Sequence, residues 1–345
     1  MPLRTAIVIL NWNTKRFLEK FLADVIKFTG SLAEIIVVDN ASTDDSISFI
    51  KKNFPSIKII CNSTNEGYTG GYNNALAKIE NEFIVLLNSD VMVTENWLQP
   101  MINLMDSNPD TGACQPKILS YHSPEHFEYA GAGGGFMDKY GYPFCRGRIF
   151  NSLEKDNHQY DDAIKVFWAS GACMVLRSAV FKKLNGFDPE FFAHMEEIDL
   201  CWRMQLAGHS IYYCGSSVVY HVGGGSLPKE NPRKTYLNFR NNLLMIYKNS
   251  DSSNVNSILI TRFWLDLLAS IKFLFSGGFA DFKAVWRAHI HYNSLKSRYP
   301  KRFSTIDPSK ELSGLSIYPK SLLWDYYLCR RKKFSSLGWN KASNK

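Results

Sequence analysis

Two short stretches carry residue types that do chemistry. "FIVLLNSDV", Phe83 to Val91, runs from apolar residues into Asn88, Ser89 and Asp90. A run without period-2 alternation reads as a strand covered on both faces, and ligands of such sheets collect at the carboxyl ends of the strands. An acid at that end faces a crevice, where it can bind a cation. The other reading is an Asx-type turn before a helix capped by Thr94. "HMEEIDLCWR", His194 to Arg203, puts Glu196, Glu197 and Asp199 in the first turns of a helix, where acids meet the macrodipole favourably. Asp199 and Arg203 are spaced for an i, i+4 ion pair. The apolar-rich "GFDPEFFAH" ahead of them buries the helix start, and a carboxylate held there has its pKa raised toward neutrality and suits a general base.

The elements that must position these groups alternate. Strands are expected at Ala6 to Leu10, Glu34 to Val38, Lys58 to Cys61 and from Phe83, with helices at Lys15 to Lys27, before Pro55, through Lys78 and from Glu95 to Met105. That rhythm predicts an α/β doubly wound sheet. It breaks at 120–165, rich in Gly, Tyr, His and Asp, which reads as an insertion or mobile lid. Ala172 to Arg177 resumes as a strand, Met195 to Ala207 as a helix, and Ile211 to Cys214 and Val218 to His221 as brief strands. A boundary near residue 232 separates a domain over 1–232 from a helical, basic region over 233–345.

In a doubly wound sheet the loops after adjacent strands meet at one crevice. Three polar clusters follow predicted strands: "VDNASTDD", "NEGYTGGYNN" and "NSD". Together they suit a nucleotide. Asp39 can accept from a base N–H, Asp44 can cap a helix or touch a ribose, and Gly67, Gly70 and Gly71 let backbone approach a ligand. Taken singly, the glycines need only turn geometry.

The formal charge is +8, with the positive excess late in the chain, as in "KSRYPKRF" and "CRRKKF". It suggests contact with an anionic surface, or simply a solvated basic tail. No zinc-finger, helix-turn-helix or RNA-binding signature argues for nucleic acid. Seven cysteines without a C-x-x-C arrangement fit reduced thiols, and the short apolar N-terminus lacks the features of a signal peptide, so a cytoplasmic location is expected. In Ile258 to Phe275, Arg262, Asp266 and Lys272 share one arc of a helical wheel, opposite Trp264, Leu267, Leu268, Ile271 and Phe275. Three charges at mid-span are expensive in hydrocarbon, which leaves an in-plane interfacial helix or a helix packed on the main domain.

"AIVILNWN", "IIVVDNASTDDS", "NEGYTGGYNNAL", "FIVLLNSDV", "SGACMVLRSAVFKKLNGFDPEFFAHMEEIDLCWRMQLAG" and "VVYHVGGGS" resemble, in order, the motifs of the inverting family 2 glycosyltransferases, particularly their rhamnosyltransferase-like branch. Ordered motifs at compatible spacings are more specific than any one alone. The resemblance implies a GT-A fold, here a doubly wound mixed sheet with a C-terminal helical appendage. It implies an enzyme that moves a sugar from a nucleoside-diphosphate donor, dTDP-rhamnose-like or UDP-linked, to a saccharide acceptor hydroxyl in cell-surface polysaccharide synthesis. By that likeness Asn11, Asn13, Asp39, Asp44, Asn65, Gly67, Asn73 and Ser89 line the donor site, and Asp90 and His221 hold Mg2+ or Mn2+. Asn88 departs from the acidic first position common in the family's metal motif. Glu197 stands where the family usually has an aspartate base, with Glu196 and Asp199 orienting the site or the acceptor. Trp168 is a candidate sugar-stacking platform or a core aromatic, and Arg240 a candidate diphosphate ligand or a plain helix-surface arginine. The acceptor is lipid-linked if the C-terminal region sits at the inner face of the cell membrane. A nucleotidyltransferase would need a similar pocket but would more readily show a glycine-rich basic loop after the first strand, which "NWNTKRF" lacks. A non-catalytic nucleotide-sugar binding protein is the third reading.

Overall fold

Apolar side chains at consecutive positions of a strand point to opposite sides, so a run such as Ala6-Ile7-Val8-Ile9 must be covered twice. The computed structural model, which describes residues 3–223, 231–275, 278–302 and 314–339, does this with layers on both faces of one sheet. The elements follow in order: β1 (Thr5–Asn11), α1 (Lys15–Thr29), β2 (Glu34–Asp39), α2 (Ser46–Asn53), β3 (Lys58–Cys61), α3 (Gly67–Leu76), β4 (Phe83–Asn88), β5 (Val91–Val93), α4 (Gln99–Ser107) and β6 (Thr111–Ser120). Four short strands come next, β7 (Gly135–Asp138), β8 (Pro143–Cys145), β9 (Arg148–Ile149) and β10 (Ser152–Leu153), then β11 (Ala163–Lys165) and β12 (Cys173–Arg177). The chain continues through α5 (Ser178–Lys183), α6 (Glu196–Leu206), β13 (Ser210–His221), α7 (Pro232–Asn249), α8 (Val255–Phe275), α9 (Phe279–Leu295) and β14 (Ile317–Tyr318).

The main sheet runs β11-β13-β6-β12-β4-β1-β2-β3, with β5 paired to β13. β1 is parallel to β2 and β4, and β12 lies antiparallel between β4 and β6, which makes the sheet mixed. Ala6, Val8, Ile84 and Leu86 enter the core on one face. Their neighbours Ile7, Ile9, Val85 and Leu87 enter the core on the other, with residues of α1 and α4.

Several expectations are revised. Residues 120–165 contain a built element: β7 to β10 form a second sheet, joined in parallel by β14 from the far end of the chain. Leu243, Tyr318 and Phe334 belong to the same hydrophobic cluster as Ala6 and Val8, so no break in the core accompanies the expected boundary near 232. The two brief strands around residue 215 are one strand, β13, with a register shift between Cys214 and Val218. Thr94 does not cap α4; its hydroxyl donates to the Val218 carbonyl at 2.7 Å. Of the motif "VVYHVGGGS", residues 224–226 lie outside the described residues, as does Phe303 of "KSRYPKRF".

Candidate active site

α3 opens on Gly67, whose φ is +73° and whose missing Cβ would stand 2.4 Å from the Phe192 carbonyl oxygen. Only glycine permits both the left-handed backbone and that approach. The Thr69 N–H donates to the same carbonyl at 3.2 Å, which pins the segment ahead of α6 to the start of α3. Phe192, His194 and Met195 all have positive φ, an accumulation of backbone strain that surrounding bonds must hold. Asn241 supplies them: its amide donates to the carbonyls of Phe191, Ala193 and His194 at 2.9, 2.9 and 2.7 Å.

This strapped segment delivers the two glutamates. Glu196 is buried and Glu197 half-buried, and Oε2 of each has no hydrogen-bond partner among the described residues, as is also true of His194 Nε2. Burial raises both carboxyls. Glu197 is pushed up to about 7, against backbone N–H groups of the helix start that act to lower it, and Glu196 goes further because the Glu197 charge adds to burial. His194 is driven down to about 4 by burial and by Lys234, so its ring is neutral at pH 7. Tyr68 lies within electrostatic reach of both glutamates and donates its hydroxyl to the Gly171 carbonyl at 2.8 Å. The next carbonyl, Ala172, accepts from Asn88 N–H at 2.9 Å.

At that end Asp90 and His221 are both buried, with Asp90 Oδ1 3.2 Å from His221 Nε2. His221 Nδ1 lies 3.3 Å from Glu128 Oε2. Burial disfavours charge on the ring, but the two carboxylates outweigh it and push His221 up to about 10. At these strand ends a carboxylate and the ring, once a cation displaces its Nε2 proton, with a second carboxylate behind the ring, form a donor set that suits Mn2+ or Mg2+. A second grouping, Asp156, His158 and Asp161, holds its ligand atoms within 4.8 Å. There Lys117 already pairs with both aspartates.

The polar loops after β1 and β2 are bonded to each other. Asn11 donates to Asp39 Oδ1 at 2.8 Å, and the Ser42 N–H donates to Asp39 Oδ2 at 3.0 Å, which fixes the Asp39 carboxylate and leaves it further acceptor capacity. Asn13 Oδ1 accepts from the Thr43 and Asp44 N–H groups at 2.8 and 3.3 Å. Asp44 accepts from the Lys15 and Ser46 N–H groups, both at 3.1 Å, so it ties the starts of α1 and α2. Asn65 accepts from the Asn40 amide and the Gly67 N–H, both at 2.9 Å. Ser89 is half-buried beside Asp90.

With this geometry in place, comparison with known proteins is direct. Residues 6–184, more than half of the chain, match the domain described as Glycosyl transferase family 2. The chain belongs to that family. This glycosyltransferase is 24% identical over 234 residues to N-acetylglucosaminyl-diphospho-decaprenol L-rhamnosyltransferase of Mycobacterium tuberculosis (strain ATCC 25618 / H37Rv), a match covering 62% of this chain and 75% of the relative. It is 28% identical over 224 residues to the O-antigen chain rhamnosyltransferase WbaN of Salmonella anatum, covering 64% and 66%. Among solved structures it resembles GalNAc-T7 with UDP, GalNAc and Mn2+, with TM-score 0.58, 13% identity and coverage of 95% of this chain and 57% of that one. It also resembles the mannosyltransferase PcManGT from Pyrobaculum calidifontis with GDP-Man and Mn2+, with TM-score 0.51, 12% identity and coverage of 91% and 79%. These likenesses show the GT-A architecture, which the mixed sheet and C-terminal helices of the glycosyltransferase share.

Four residues of the glycosyltransferase take places other than those expected. Trp168 offers no platform: it is 3% exposed, its indole N–H donates to the Phe136 carbonyl at 2.9 Å, and Gly135 lies so close that a Cβ there would stand 2.2 Å from the ring. Arg240 turns to protein backbone, donating to the Glu190 and Phe191 carbonyls at 2.6 and 3.3 Å, and with Asn241 it straps the segment before α6. Asp199 makes the i, i+4 pair with Arg203 that its spacing predicts, at 2.8 Å, but is fully buried there and paired also with Lys248 at 3.1 Å, which together hold its pKa low despite burial, so it braces α6 against α7 and does not face an acceptor. Asn73 clamps the Phe187 backbone, donating to its carbonyl at 2.8 Å and accepting from its N–H at 3.0 Å.

Tyr68 and His194 stood inside quoted motifs without a role. Glu128 carried no signal, because it comes from the irregular insertion and meets His221 only in three dimensions. A carboxylate behind a ligating imidazole fixes its tautomer and orientation, and removing one typically costs about 10- to 100-fold in metal affinity. Glu128→Gln is therefore expected to weaken Mn2+ binding about tenfold, read by titration of the free-ion electron paramagnetic resonance signal. Unchanged affinity would remove Glu128 from the site.

Proposed function

We propose that this chain moves a sugar from a nucleoside-diphosphate donor to a saccharide hydroxyl, with inversion at the anomeric carbon and Glu197 as the base. The observation that carries the reading is the Glu197 carboxyl: raised to about 7 by burial, with its Oε2 left without a hydrogen-bond partner among the described residues. A base poised near the working pH takes a hydroxyl proton efficiently, and a carboxylate with an open lone pair has room for that hydroxyl.

In this reading Asp39, oriented by Asn11 and Ser42, accepts from the N–H of a pyrimidine base. Asn13, Asp44 and Asn65 hold the loops around the nucleoside, Gly67 and Ser89 flank the diphosphate, and Glu196 and His194 face the acceptor. Asp90 and His221 would hold Mg2+ or Mn2+, whose positive charge stabilises a departing nucleoside diphosphate. Glu197 removes the proton from the acceptor oxygen as that oxygen attacks the face opposite the leaving group.

The mycobacterial relative's name gives an acceptor carried on a diphospho-decaprenol, and both relatives transfer rhamnose. We infer the same classes here: a dTDP-deoxyhexose donor and an acceptor presented on a lipid carrier. The test is a thermal-shift screen of dTDP, UDP and GDP and their sugars, with and without Mn2+. Manganese-dependent stabilisation by a thymidine or uridine diphosphate supports the assignment of Asp39 and Asp90. Stabilisation by GDP alone, or by no nucleotide, overturns it.

A further inference from the structure

A helix on a water-soluble protein turns apolar residues inward and charges outward. α8 does the reverse. Its buried side chains include Arg262, Asp266 and Ser270, spaced i, i+4, i+8, while Trp264, Leu268 and Phe275 are 60%, 64% and 86% exposed. The inward charges are satisfied. Arg262 Nη2 lies 3.2 Å from Asp266 Oδ1, His289 Nε2 from α9 lies 3.1 Å from Asp266 Oδ2, and Arg262 also donates to the Tyr140 carbonyl and to Asn242. This polar seam fixes the rotation of the helix, so the apolar stripe must face outward.

The stripe continues onto its neighbours. Phe263 meets Trp286 of α9 at 6.4 Å between ring centroids, and Lys272 lies over the Tyr327 ring at 5.2 Å, beside the exposed Trp324 and Leu328. Outside residues 260–328, the large apolar side chains exposed among the described residues are Leu3, Trp12, Leu32, Tyr129 and Leu153, scattered along the sequence. Contiguous exposed apolar surface on this scale marks an interaction site.

We propose that the joined outer face of α8, α9 and the 324–328 turn lies in the headgroup region of an anionic lipid bilayer. The occupant follows from what is interleaved with the apolar groups. Lys272, Lys283 and Arg287 stand exposed in or beside the stripes, with Lys332 and Lys333 exposed further along the chain. Lysine is depleted from the cores of protein interfaces, which disfavours a second copy or a partner helix. At a bilayer the same lysines extend to the headgroups while tryptophans take the boundary between acyl chains and water. The helices lie on the membrane and do not cross it: among the described residues no helix is long and apolar enough to span. The proposal rests on this exposure and not on the transfer reading, and it can stand if no donor binds.

The test is flotation of the full chain with vesicles of phosphatidylcholine alone and of phosphatidylcholine with phosphatidylglycerol. The chain is expected to float with the anionic vesicles and to be released by salt. The double variant Trp264→Glu/Leu268→Glu, changed at side chains that make no core contact, is expected to lose partitioning at least about tenfold while keeping the wild-type melting temperature. Lys283→Glu/Arg287→Glu is expected to lose the preference for anionic vesicles. The proposal is overturned if the wild-type chain stays out of both vesicle fractions. It is also overturned if the Trp264/Leu268 variant floats like wild type, or if that variant only dissociates a dimer in sedimentation while neither protein floats.

Discussion

Glu197→Gln loses sugar transfer by about 10³-fold in kcat while its affinity for the donor nucleotide stays within a few-fold of wild type, because the amide keeps the shape of the side chain and cannot take a proton. Single-turnover transfer and nucleotide titration read the two parts separately. A variant that transfers at wild-type rate would remove Glu197 from the chemistry. Wild-type kcat/KM should rise with pH through about 7, since the base works only when ionised and its carboxyl is pushed up to about 7 by burial. The same shift sets a stability signature. A carboxyl raised in the folded state from its ordinary 4.5 favours folding in its protonated form, so its contribution is complete below 4.5 and is lost as pH rises through 7. The glutamine variant has no proton to lose, and its melting temperature should exceed that of wild type increasingly from acid to neutral pH. An added stability on the order of 1–3 kcal/mol above pH 7 is expected. A merely structural glutamate would show the gain on neutralisation, which follows from burial alone, but not the pH profile of the rate.

What the sequence disclosed follows the physics of the two sheet faces. β1, β2 and β4 are covered on both sides, so their apolar runs are continuous, and the polar clusters that end them mark the crevice at once. β6 was not legible, because its buried residues include Gln115 and Lys117, polar groups satisfied by Ser170, Asp156 and Asp161 from distant parts of the chain. The second sheet escaped for a related reason: strands such as Arg148–Ile149 and Ser152–Leu153 are too short for periodicity, and β14 reaches them from far along the sequence. The "RN" of "NFRNN" was legible as a motif and misread in its target, since its side chains bind carbonyls of the strained 190–194 segment and no pattern in the sequence names those acceptors. The wheel of α8 set Arg262 and Asp266 apart from the apolar residues, while Lys272, drawn on the same arc, is exposed; which side faced inward depended on Asn242, Tyr140 and His289, supplied from elsewhere.

Asp90→Asn tests the other pole of the site. Asp90 is the acidic residue of "NSD", since Asn88 brings an amide where a carboxylate is usual, so replacing it leaves the strand end with no anionic oxygen of its own. Hard divalent cations take their affinity from charged oxygen ligands, and loss of the carboxylate should weaken Mn2+ binding by about 100-fold or more, beyond the effect of Glu128→Gln, whose carboxylate acts through His221. Nucleoside diphosphate should still bind, through Asp39 and the loops around it, but addition of Mn2+ should no longer raise the melting temperature of the complex. The metal-free protein changes too. Asp90 and Glu128 flank one imidazolium, and removing one member of a buried ion pair costs about 3–5 kcal/mol when nothing replaces it. Here Glu128 remains on Nδ1, so a smaller loss is expected, together with a fall in the His221 pKa from about 10 that NMR titration of the ring would detect. Wild-type manganese affinity in Asp90→Asn would place the cation elsewhere. It would also leave the carboxylate at the end of β4 as no more than the partner of His221.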